Sequence, residues 1–144
     1  MGYGVCYGAG NLALLKTVDG HQFEMVSPLQ ITGNPNECQI RFVQNGTAYM
    51  MVRRSGADGK GAPGFMGVSD YPYREWKWKE LGIYLAGEDF LIDKELIVLA
   101  SRLTQNIGDR TAVWFGDLDG SFKWNYLLPY GGEMAKVTLH TLGF

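Results

Sequence analysis

Residues 36–54 read Asn36-Glu37-Cys38-Gln39-Ile40-Arg41-Phe42, then Val43-Gln44-Asn45-Gly46, then Thr47-Ala48-Tyr49-Met50-Met51-Val52-Arg53-Arg54. Two short apolar runs joined across Asn45-Gly46 are a hairpin signal, because Asn and Gly accept the positive φ that a two-residue turn demands. A glycine-rich loop follows, and then Phe65-Met66-Gly67-Val68-Ser69 and the aromatic run from Asp70 to Trp78. FMGVS and WKWKELG read as two further strands. The four together predict an antiparallel meander within about 45 residues, the size of one propeller blade.

The pattern recurs on both sides. Glu88 opens EDFLIDKELIVLASR 51 residues after Glu37, and Glu133 follows 45 residues later. Arg53-Arg54 ends the second strand of one copy, and Arg102 ends the second strand of the next. Turns that precede an aromatic start at Asp19, Ser69 and Asp119, each 50 residues after the last. A period near 50 with four strands per unit predicts an all-β chain, a β-propeller segment of about three four-stranded antiparallel blades. A β-sandwich is the alternative, since regular short strands also mark that fold. On the propeller reading, residues 1–35 are the end of a blade, 36–86 a complete blade, 87–130 another, and 131–144 the start of a further first strand. The run from Glu95 to Asn106 has some helical spacing, but its β-branched centre and its match to TAYMMVRR favour strand.

At 144 residues the chain is one domain by the usual prior. It is 46% hydrophobic and 13% aromatic, enough for a sizeable core, and its 20 glycines fit a turn-rich β protein. A net charge of −2 offers no broad basic field for a nucleic-acid backbone. No apolar run is long enough for a membrane-spanning helix, and the N-terminus has no basic and apolar regions of a signal peptide. Export of a longer parent is left open. Cys6 and Cys38 read as two buried thiols rather than a required disulfide. Propellers have roughly four to eight blades, so the expectation is that this chain does not close a ring alone. Further blades would come from a longer parent or from a second copy, and open sheet edges invite such self-association.

Several motifs together resemble one family. They are Pro35-Asn36-Glu37, the hairpin through Asn45-Gly46, the Arg53-Arg54 pair, the S-x-x-P-Y-x-x-W-x-W-like run from Ser69 to Trp78, Arg102, and Leu128-Pro129 with Gly131-Gly132-Glu133. In order and spacing they resemble the sialidase (neuraminidase) superfamily, specifically its exo-sialidase-like members, over about residues 11–133. The resemblance implies half of a six-bladed propeller and a glycoside hydrolase that removes terminal sialic acid with retention. It implies three arginines on the sugar carboxylate, a tyrosine nucleophile paired with a glutamate, and an aspartate acid/base. It implies an acidic sugar as ligand; no cofactor and no metal are expected.

On that resemblance Glu37 is the catalytic glutamate, Arg53 the second carboxylate-binding arginine and Arg102 the third. Arg54 competes with Arg53, since neighbours on a strand face opposite ways. The chemistry suits the residue types: a guanidinium fork grips a carboxylate in a way lysine cannot, and a glutamate can activate a tyrosine hydroxyl. An ordinary salt bridge at a blade edge is the structural alternative for Glu37 and Arg53. Arg41 lies inside a strand and faces either the channel or solvent, with solvent the preferred reading. Asp19 and Asp119, in Asp19-Gly20 and Asp119-Gly120, resemble shortened Asp-boxes, a family hairpin in which the aspartate holds turn amides and an aromatic packs between strands. Both are expected to be structural. Trp76, Trp78, Tyr71 and Tyr73 are candidates for stacking on a sugar, with packing between blades as the other reading.

The departures are equally specific. Gly131-Gly132-Glu133-Met134-Ala135-Lys136 is followed by no tyrosine, and the family's first arginine and aspartate would lie upstream of Met1. These residues therefore hold at most part of the catalytic set. Gly59-x-Gly61-x-x-Gly64 matches a dinucleotide fingerprint in letters only, since it contains Pro63 and opens no helix. Asn45-Gly46-Thr47 is a glycosylation sequon, but the hairpin already accounts for Asn-Gly. His21 and His140 are too isolated to suggest a metal cluster.

Overall fold

The computed structural model describes residues 1–103 and 110–131. The expected further strand over 131–144, with Glu133 and His140, lies essentially outside the described residues. Among those described, the chain is all-β with no helix, and every sheet is antiparallel. β1 (Gly2–Gly8), β2 (Asn11–Thr17) and β3 (Glu24–Leu29) form a first sheet in chain order. β4 (Pro35–Phe42), β5 (Ala48–Arg54), β6 (Ala62–Ser69) and β7 (Lys77–Tyr84) form a central four-stranded meander. β8 (Asp89–Asp93), β9 (Leu96–Leu103), β10 (Arg110–Asp117) and β11 (Phe122–Gly131) form a third. The β4–β5 hairpin turns at Asn45-Gly46, with Gly46 at φ 90° and the Asn45 side chain accepting from the Thr47 amide.

The sheets stack face to face, and β5 shows why. Its residues alternate across the pleat. Ala48, Met50 and Val52 enter a core with Leu12, Leu14 and Leu29 of the first sheet, while Tyr49 and Met51 enter a second core with Phe90, Ile97, Leu99 and Trp114 of the third. A strand covered on both faces must be apolar at every position, which is what Ala48–Val52 is. Small residues let the central sheet pack closely: a Cβ on Gly67 would lie 2.3 Å from the Trp78 ring. The opening strands β1, β4 and β8 lie beside one another in succession. The Arg41 guanidinium joins two of them. It pairs with Asp89 of β8 and lies 5.3 Å from the centre of the Phe90 ring, so at 35% exposed it only partly faces solvent, the direction expected from the sequence. Its partner is 48 residues away, so the pairing is invisible to local pattern.

Trp76 and Trp78 stack on each other at 5.5 Å and pack against the core between the first and central sheets. Tyr73 is buried there, donating its hydroxyl to the Gly46 carbonyl. Of the four aromatics considered for sugar stacking, Tyr71 is the one left largely exposed. The cysteines are not a pair of buried thiols. Both are free, and Cys6 is exposed, whereas burial pushes the half-buried Cys38 thiol up to about 12.

The Asp19 and Asp119 turns are held by their carboxylates. Asp19 Oδ1 accepts from the amides of His21 and Gln22 and from the Thr17 hydroxyl. Asp119 accepts from the Ser121 amide and hydroxyl, and Lys79 reaches across to the same turn. These amides hold both carboxyls below the usual carboxylate range. The aromatics after these turns do not pack as the resemblance implies: Phe23 and Trp124 are 54% and 49% exposed. Trp124 instead lies on Phe115, ring centres 4.1 Å apart, on the third sheet.

Candidate functional site

Glu37, Arg53, Glu88 and Arg102 meet where the start of β4, the end of β5, the approach to β8 and the end of β9 come together. Strand register brings the first two into contact. Between the Cys38–Val52 and Pro35–Arg54 pairs the β4 strand carries two residues, Asn36 and Glu37, opposite Arg53 alone. On the other side β6 carries Pro63 and Gly64 between its pairings to Arg54 and Val52, so Arg53 faces an irregularity there too. Such bulges re-aim side chains at a sheet end. Here Glu37 Oε1 accepts from Arg53 Nη1 at 2.8 Å, with the two side chains 42% and 31% exposed.

The third sheet supplies the rest. The Gly87 amide donates to Glu37 Oε2 at 3.1 Å. Gly87 has φ 56°, a conformation that favours glycine, and the Arg102 guanidinium passes over it within ordinary van der Waals distance of where a Cβ would stand. Arg102 is anchored through its own amide to the Ala86 carbonyl, and the Ser101 hydroxyl bonds both backbone groups of Ala86. Burial works to raise the Glu37 carboxyl. The hydrogen bonds from Arg53 and Gly87 and the charges of Arg53 and Arg102 outweigh it, so the group sits below its ordinary value. The exposed part of the cluster is thus an ionised carboxylate between two cations. Two guanidinium groups against one exposed carboxylate leave unspent positive charge, which is what a second carboxylate, from a ligand, would find.

Arg54, the competing candidate, does not join this cluster. Strand alternation sends it to the opposite face, where it is 7% exposed and pairs with Glu80. Its Nε donates to the Pro63 carbonyl at 2.7 Å, and its guanidinium carbon lies 4.1 Å from the Phe65 ring centre. A buried cation so fully engaged braces the sheet rather than meeting ligand. Arg54→Ala is expected to cost about 2–3 kcal/mol in chemical denaturation through lost packing and stranded carbonyls. Arg54→Lys is expected to recover little, since lysine cannot span the same acceptors.

Glu88 was not among the candidate residues. Its one sequence signal is its place in the repeat, 51 residues after Glu37. Nothing local marks it as turned inward. A surface depression of about 920 Å³, lined by Cys6, Tyr7, Ala13, Pro28 and Ile31 among others, lies along the first sheet; none of Glu37, Arg53, Glu88 and Arg102 lines it, and its lining carries no charged side chain. Among the described residues no group of His, Cys, Asp and Glu has the makings of a metal site, and no helix is long and apolar enough to cross a membrane. Comparison with protein-family models, with curated proteins and with solved structures finds no match.

Proposed function

We propose that the chain is a carboxylate-recognising β-propeller segment whose ligand is an acidic sugar. More particularly, it is a sialidase-like segment, with Arg53 and Arg102 on the sugar carboxylate and Glu37 as their carboxylate partner. The observation that carries this reading is the convergence of Glu37, Arg53 and Arg102 from two sheets onto one partly exposed cluster. The propeller reading is supported by three face-to-face sheets, in a repeat near 50 residues, whose opening strands follow one another side by side. Hydrolysis of a terminal glycosidic bond would require further blades, from a longer parent or from a second copy.

A non-catalytic carbohydrate-binding or structural role is the second reading. It is favoured by the missing tyrosine after Gly131-Gly132-Glu133 and by the Arg53 charge already engaged with Glu37. The two separate in one pair of assays. Calorimetric titration with free sialic acid is expected to show binding that Arg102→Ala weakens at least tenfold, about 1.4 kcal/mol. Release of fluorophore from a sialoside then assigns the enzyme, and binding without release assigns the binding module. Absence of binding by the wild-type chain defeats the acidic-sugar reading.

A further inference from the structure

Glu88 is the one member of the cluster closed off from solvent. It is 4% exposed, and among the described residues neither side-chain oxygen has a hydrogen-bond partner. The charged and titratable groups around it come from three neighbouring strands. Glu37 and Cys38 face it from β4 and Arg53 from β5, while Arg102 of β9 lies just across Gly87. The next residue, Asp89, which opens β8, is paired with Arg41. A carboxyl in such a place is costly to ionise. Burial is the main influence and the Glu37 charge adds to it, pushing Glu88 up to about 7. The nearby amides of Glu88 and Arg53 and the Arg53 charge offset part of this. Glu37 and Glu88 are therefore two carboxyls in one cluster whose surroundings drive them apart, one held ionised and one holding its proton.

We propose that Glu88 is a positioning residue that sets when Arg53 is available to an anion. With its proton on, Glu88 is neutral, and two guanidinium groups face one carboxylate, so the cluster keeps a surplus positive charge for a ligand. When the proton leaves to solvent, a second negative charge appears in the cluster, within electrostatic reach of Arg53 though not paired with it, and offsets the surplus. The site then loses its pull on an incoming carboxylate. Glu88 itself, with both oxygens covered, does not touch the ligand. This inference rests on the reading of Arg53 and Arg102 as an anion clamp, and deepens it by naming its regulation.

The test follows the Arg53 side-chain Nε signal by NMR from pH 5.5 to 8.5 without ligand, and titrates free sialic acid at both ends of that range. In the wild type the Arg53 signal is expected to move with a midpoint near the 7 of Glu88, and sialic acid affinity to fall at least tenfold between pH 5.5 and 8.5. In Glu88→Gln, which copies the neutral carboxyl, the Arg53 signal is expected to stay flat and the affinity to remain at its low-pH level. That variant also excludes histidine, the other group that titrates in this range. A wild-type Arg53 signal that is flat, or one that moves equally in Glu88→Gln, overturns the inference. So does an affinity indifferent to pH. Should Glu88→Gln not fold, the side-chain carboxyl carbon signal of Glu88 in the wild type decides: a midpoint near 7 supports the inference, and one near the ordinary 4.5 overturns it. If the Arg53 signal follows Glu88 but sialic acid binds at neither pH, the acidic-sugar reading falls and the coupling stands.

Discussion

Glu88→Gln is expected to make the protein more stable at pH 8, by about 3 kcal/mol, and to leave it nearly unchanged at pH 4.5. The direction follows from linkage. The Glu88 carboxyl sits at about 7 in the folded chain against an ordinary 4.5. Between those values the folded state holds a proton that the unfolded state has released. Stability therefore falls as pH rises through this window, and levels off above it. Each unit of separation is worth about 1.4 kcal/mol, which gives the 3 kcal/mol as an order of magnitude. Glutamine removes the slope because it has no charge to desolvate. For a chain of this size the gain corresponds to roughly 10 °C in melting temperature, read by circular dichroism at both pH values. Equal melting curves for the two proteins at pH 8 would show that Glu88 is not held protonated by the fold.

The second large effect concerns β5. Met50 and Met51 are adjacent and completely buried, yet they serve different cores. Met50→Ala opens a void between the first and central sheets, and Met51→Ala opens one between the central and third. Each is expected to cost about 2–5 kcal/mol, the usual range for deleting a buried methionine side chain. The two losses should differ in place. Hydrogen exchange is expected to speed up first in β1–β3 for Met50→Ala, and first in β8–β11 for Met51→Ala, because local opening follows the contacts that were removed. Identical exchange patterns in the two variants would contradict three stacked layers and favour a single shared core.

Much of this architecture was legible because β5 obeys two rules at once. Its unbroken apolar run demands cover on both faces, and Asn45-Gly46 fixes the hairpin that aligns it with β4. The repeat near 50 residues then places a four-stranded sheet on either side of the Leu85–Glu88 connection. The cluster was legible in part. Glu37 and Arg53 stand at opposite ends of a hairpin, and a hairpin brings its open ends together. What spacing could not decide was which of Arg53 and Arg54 turns toward Glu37. That depends on the bulge at Asn36–Glu37, which no residue type there announces. The Arg41 pairing and Glu88 were missed for a related reason. Their environments are made by residues about 50 positions away, through a sheet-to-sheet contact that a linear pattern does not contain. Cys6 was read as buried because cysteine usually is, but it faces outward on β1, a strand that is not covered as β5 is.

On the proposed reading, Arg53 and Arg102, from two different sheets, act as one clamp on a single carboxylate. That reading is tested most directly by recording side-chain Nε signals of Arg53, Arg54 and Arg102 during a titration with free sialic acid at pH 5.5. The Arg53 and Arg102 signals are expected to shift together along one saturation curve while Arg54, braced between Glu80 and Phe65, stays still. Shifts at Arg53 and Arg102 that saturate at different sugar concentrations, or no shift at either, would contradict it.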